Sequence, residues 1–124
     1  MSITLPVSAE KLYKAWLNSK EHSNFTGAEA KASAKVNAKH SAWDGYISGK
    51  NLELKTNKKI VQTWRTSEFP EDAPDSTLEI TFEEKAGKTK LSLYHHGLQK
   101  GDAKKYTQGW KDFYFTPMKQ YYSK

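Results

Sequence analysis

Cysteine is absent from the chain, which excludes disulfides, thiolate chemistry and sulfur-ligated metals. Arginine is nearly absent: Arg65 is the one guanidinium among 20 basic residues. Surfaces that grip single-stranded nucleic acid interleave exposed rings with basic residues. The rings here follow core patterns, so no nucleic-acid partner is expected. Long apolar runs are missing too. No segment approaches the ~20 apolar residues that span a bilayer, and residues 1–7 lack a basic stretch followed by an apolar one. The expectation is a cytoplasmic protein with no membrane association. Nucleotide fingerprints, phosphate-cradling glycine loops and serine-nucleophile motifs are also lacking, as is any recognisable nucleophile–base pair. The chain therefore reads as a non-enzyme with no cofactor.

Aromatic residues are plentiful. Four Trp, seven Tyr and five Phe in 124 residues can fill a core, since each large ring removes roughly 150–250 Å² from water. Hydrophobic residues make up 36% and charged residues 27%, a balance that folds, and the length suits one domain over 1–124. The net charge of +6 comes almost wholly from lysine. Lys50, Lys55, Lys58 and Lys59 gather around two turns and Lys100, Lys104 and Lys105 flank the last helix, so either group could meet an acidic protein surface.

Residues 3–7 alternate like a short strand, and Pro6 implies that it lies at a sheet edge or ends there. A helix follows, with Ser8 as N-cap, Glu10 in the first turn, and Leu12, Ala15 and Trp16 at helical spacing. A second short helical turn over 21–25 stops at Gly27. From residue 28 the pattern becomes a meander, with expected turns at 48–51, 56–58 and 85–88. Its expected strands are 33–41, 42–47, 52–55, 59–67, 77–84 and 89–97. Leu78, Ile80 and Phe82 share the buried face of one strand, opposite Thr77, Glu79, Thr81 and Glu83; Ile60, Gln62 and Trp64, and Leu91, Leu93 and His95, group likewise. Pro70 and Pro74 mark an exposed acidic loop.

Residues 102–122 place Trp110, Phe113, Tyr114, Pro117, Met118 and Tyr121 at spacings of three and four, the stripe of a wide amphipathic helix. Pro117 lacks an N–H and obstructs the carbonyl of Phe113, so a kink or break is expected there. Strands followed by a long ring-bearing helix give an α+β fold, the helix covering the concave face of a curved antiparallel sheet.

Three ordered motifs carry a resemblance: Trp43-Asp44-Gly45-Tyr46-Ile47-Ser48-Gly49-Lys50-Asn51-Leu52-Glu53-Leu54, Ile60-Val61-Gln62-Thr63-Trp64-Arg65, and Gly109-Trp110-Lys111. Over nearly the whole chain it resembles the C-terminal-type domain of the heat-shock-protein-90 ATPase activator family, in the START-like, or birch-pollen-allergen-like, superfamily. The resemblance implies a helix-grip fold, a co-chaperone-like role in the stress response, and a heat-shock-protein-90 chaperone as partner. Where that family commonly has a Gly-Gly pair and an aromatic residue, this chain has Asn37-Ala38 and His40. Asn37 tolerates left-handed backbone; Ala38 does not.

The superfamily often keeps a hydrophobic cavity, which makes a carrier or sensor of a small hydrophobic ligand the alternative reading. Gln62, Trp64, Phe82, Leu93, His95, Trp110, Phe113, Tyr114 and Met118 are the residues expected to line such a cavity, with Gln62 and His95 supplying polar contacts. His95 and His96 are adjacent on a strand, point to opposite faces and cannot share one ion, so no metal site is expected. Asp44 beside Gly45 reads as a bend residue rather than a base.

Overall fold

A run of left-handed backbone sets the first strand boundaries. In the computed structural model, which describes residues 1–98 and 101–123, Trp43, Asp44 and Gly45 have φ of 51°, 57° and 91°. Left-handed geometry costs an L-residue with a Cβ about 1–2 kcal/mol, and backbone contacts hold it here. The Asp44 N–H donates to the Glu29 carbonyl and Asp44 Oδ1 accepts from the Glu29 N–H, both at 3.0 Å. Residues 43–46 are therefore a turn, where strand 42–47 was expected.

That turn joins β2 (Lys39–Ala42) to β3 (Ile47–Lys55). The expected turn at 48–51 lies inside β3, and the separate strand 52–55 is the end of the same element. Gly49 has a different task there: a Cβ on it would stand 1.9 Å from the Thr63 carbonyl oxygen and 2.6 Å from His40 Nε2. Its bare backbone lets His40 of β2 reach across β3 and bond the Thr63 oxygen at 3.0 Å. The expected strand over 33–41 survives only as β2. Its earlier part is an irregular loop held by Asn51, which is fully buried. Asn51 Nδ2 donates to the carbonyls of Ser33 and Lys35, and its backbone bonds Asn37 and Ala38. Asn37 takes φ of 69°, the left-handed geometry that Asn accepts.

The remaining strands are β1 (Ser2–Leu5), β4 (Lys59–Thr66), β5 (Ser76–Lys85) and β6 (Lys88–His96). They complete one six-stranded antiparallel sheet in the order β1-β6-β5-β4-β3-β2, with β1 on an edge and ending just before Pro6. Alternation assigns its faces: Leu78, Ile80 and Phe82, Ile60 and Trp64, and Leu91 and Leu93 are buried. Arg65 lies on the other face of β4 and braces the acidic loop through the carbonyls of Pro70 and Ala73 and an ion pair with Asp75 at 2.8 Å.

Helices α1 (Ala9–Trp16) and α2 (Ser19–Thr26) start at side-chain caps, Ser8 Oγ accepting from the Lys11 N–H and Asn18 Oδ1 from that of Glu21. The C-terminal helix has three parts: α3 (Ala103–Trp110), a π turn over Lys111–Phe115, and α4 (Thr116–Tyr122). The disturbance expected at Pro117 is that π turn, in which the Thr116 N–H bonds the Lys111 carbonyl. Tyr106, Trp110, Tyr114, Met118 and Tyr122 are all buried at a spacing of four. In a regular helix that spacing drifts by about 40° per step; the wider π turn offsets part of the drift and keeps the stripe on the sheet. Phe113 is thereby turned outward and is 54% exposed, contrary to its expected place in the stripe.

Candidate functional site: an open aromatic cavity beside the C-terminal helix

Between the 43–46 turn and α3 lies an open cavity of about 400 Å³. Trp64, Trp110 and Tyr114 form part of its lining, and Trp43 and Phe113 meet edge to face with centroids 5.3 Å apart. Tyr106 packs edge-on against Trp64 at 5.2 Å. Gly109 faces the same space; a Cβ built there would meet only the Phe113 ring, at 4.0 Å. A glycine inside a helix thus leaves bare backbone beneath the opening.

The cavity has one polar side. Tyr46 from the turn donates a hydrogen bond to Glu68 Oε2, and Lys105 from α3 pairs with Glu68 Oε1 at 2.9 Å. Glu68 is thereby tied to elements on both sides. Burial, with the Glu68 carboxylate beside it, pushes the Tyr46 phenol up to about 12. Tyr46 and Lys105 together hold the Glu68 carboxyl below its ordinary range.

Behind the rings, two histidines fix the walls. Trp110 Nε1–H donates to His95 Nδ1 at 3.1 Å, so His95 carries its proton on Nε2 and gives it to Ser76 Oγ at 2.8 Å. Ser76 Oγ in turn donates to the Trp64 carbonyl at 2.6 Å. His22 is the second: its Nδ1–H donates to the Trp16 carbonyl at 2.9 Å and its Nε2 accepts from the Tyr114 hydroxyl at 2.8 Å. Burial pushes both imidazoles down to about 4, with His96 adding to the effect at His95. Burial also drives the Tyr114 phenol far upward. The Tyr106 hydroxyl is engaged by Thr66 Oγ1 at 2.9 Å. The Trp43 indole N–H is buried without an acceptor among the described residues.

Of the residues expected to line a cavity, Trp64, Trp110, Phe113 and Tyr114 come together here. Leu93 and His95 border a second depression, shared with Met1, Leu98 and Thr107 on the other side of Trp110. Gln62, Phe82 and Met118 lie within the packed interior. Gln62 is committed to a buried amide relay: it accepts from Trp16 Nε1 at 3.4 Å and donates to Asn51 Oδ1 at 2.9 Å. Trp43, Tyr46, Ile47, Glu68, Lys105, Tyr106 and Gly109 were not foreseen as lining. Gly109, set among Tyr106, Trp110 and Phe113 on a helical pattern, was the available signal. His95 faces inward and His96 outward, as alternation requires. No group of three or more His or carboxylate residues stands at metal-binding distance among the described residues, and no described helix is long and apolar enough to cross a membrane.

The family model for Activator of Hsp90 ATPase homolog 1-like protein matches residues 6–123. The chain belongs to this family. It is 32% identical over 117 residues to the human activator of 90 kDa heat shock protein ATPase homolog 1, a match covering 94% of this chain and 34% of that protein. The chain thus spans about a third of the length of this relative. An HSP90 activator from Plasmodium falciparum superposes with a TM-score of 0.82 at 26% identity, covering 94% of this chain and 90% of that one. An Aha1 dimer from Colwellia psychrerythraea, at 16% identity, shares the fold with a TM-score of 0.80 over 98% of this chain and 92% of its own. The six-stranded sheet and C-terminal helix are the helix-grip arrangement that the family's fold comprises.

Proposed function

We propose that this domain is a non-catalytic binding module for a heat-shock-protein-90 chaperone. The supporting observation is the family match over residues 6–123, which takes in strands β2 to β6, their turns and the whole C-terminal helix. The surface is compatible with such a role. Lys50, Lys55, Lys58 and Lys104 are exposed on a protein of net charge +6, so an acidic partner face would be attracted over a range that salt shortens. Pull-down of purified chaperone by the immobilised chain at low ionic strength tests the reading. Retention that weakens as salt is raised is expected; absence of retention at low salt would remove it.

The open aromatic cavity supports a second reading, a carrier or sensor of a small hydrophobic ligand. Its volume of about 400 Å³ lies in the range of small-molecule sites, and its lining is mainly apolar. Saturable quenching of tryptophan fluorescence by a lipophilic compound is the expected sign.

A further inference from the structure

We infer that the cavity between the 43–46 turn and α3 selects neutral, planar aromatic compounds and discriminates against charged ones of the same shape. This rests on the ligand reading above and adds the chemical class.

The charge preference follows from how the wall is paired. Its carboxylate and its ammonium are Glu68 and Lys105, and they are closed on each other at 2.9 Å. The second oxygen of Glu68 already accepts the Tyr46 hydroxyl. An anionic ligand would meet Glu68 and the electron-rich ring faces, with Lys105 already committed. A cationic ligand would gain from the rings but must displace Lys105, whose ammonium lies 5.3 Å from the centroid of Tyr106. Among the rings either charge would lose part of its water, and the charged groups of the wall, the half-exposed Glu68 and Lys105, are already paired with each other; a neutral ligand does not suffer that loss.

The polar ends of three wall rings are also occupied. The Tyr106 hydroxyl is held by Thr66, the Tyr114 hydroxyl by His22, and the Trp110 N–H by His95. These rings can therefore offer faces and edges rather than polar groups, which favours offset or edge-to-face contact with another ring. Gly109 supplies the flat side. A Cβ there would just touch the Phe113 ring at 4.0 Å, and a larger side chain would project into the cavity that both residues line.

The test uses two fluorescent probes that share one ring system: neutral N-phenylnaphthylamine and its sulfonated analogue, anilinonaphthalenesulfonate. The neutral probe should bind saturably at one site and quench tryptophan emission, with the sulfonated one weaker by about tenfold or more. Gly109→Leu should fold at least as stably, since leucine is the better helix former, and should lose the neutral probe. Phe113→Ala removes an exposed ring at the cavity mouth and should weaken binding by about fivefold without disturbing the core. Equal binding of both probes would overturn the charge preference while leaving a ligand cavity. Binding of neither would overturn the ligand reading and this inference together. Neutral-probe binding unchanged in both variants would place the site elsewhere and overturn the inference.

Discussion

The imidazole of His40 crosses the backbone of Gly49 to bond the carbonyl oxygen of Thr63, joining β2 to β4 over the intervening strand. The β3–β4 ladder pairs Ser48 with Arg65 and Asn51 with Gln62. Between these pairs, side chains meet the backbone: His40 serves the Thr63 oxygen, and Thr63 Oγ1 accepts the Lys50 N–H at 2.9 Å. Gly49→Ala would place a methyl 1.9 Å from that oxygen. It should destabilise the protein by about 3 kcal/mol or more, at the upper end for overpacking because the obstacle is backbone. His40→Ala opens space and loses one hydrogen bond, costing about 1–3 kcal/mol. Urea denaturation of both variants checks the order; a harmless Gly49→Ala would show that the strands do not approach so closely.

Trp110 stands at the middle of the buried stripe, 4% exposed, and its N–H sets the tautomer of His95. Trp110→Ala should cost roughly 3–5 kcal/mol. Its exposed neighbour Lys111 should change stability by no more than about 0.5 kcal/mol when replaced by alanine. Chemical denaturation separates the two, and a Trp110→Ala protein as stable as the parent would mean that this helix does not bury that face.

Acid should weaken the fold in a window set by buried histidines, His40 being lowered by burial in the same direction as His22 and His95. His22 and His95 are pushed down by burial from 6.5 to about 4. Between those values the unfolded chain binds more protons than the folded one, so stability is full above about pH 6.5 and falls as the pH drops toward 4. Each unit of difference is worth about 1.4 kcal/mol, which puts the limit near 3 kcal/mol for each of these two. Glu10, Glu53 and Glu68, whose pKa values are lowered from 4.5 by lysine or tyrosine partners, act at more acidic pH and are exposed enough for solvent to screen them. Unfolding free energy measured from about pH 7 down to pH 4.5 should decline; a flat profile would show that the imidazoles are not buried neutral.

The legible parts of this fold were those where side-chain period and burial agree. The alternation of Leu78, Ile80 and Phe82, the Ser8 cap and the effect of Pro117 could each be read from neighbours in sequence. What failed depended on contacts distant in sequence. Ser48-Gly49-Lys50-Asn51 has the composition of a turn, yet its glycine answers to His40 and Thr63, and its asparagine to a loop some 16 residues away. Asp44 beside Gly45 announced a bend, but nothing in Trp43 foretold that the left-handed run would end the strand; the clasp of Asp44 with Glu29 holds the turn. The cavity was half legible for the same reason. Trp64, Trp110, Phe113 and Tyr114 follow from patterns within single elements, whereas Trp43, Tyr46 and Glu68 reach the site through the turn and the loop.

Calorimetric titration of this chain into a heat-shock-protein-90 chaperone from the same cell tests the functional account most directly. The predicted result is saturable binding at low ionic strength whose affinity falls steadily as salt is raised, since the exposed lysines act through a field that salt screens within about 10 Å at 0.1 M. No heat of binding at low salt, with both proteins folded, would contradict it.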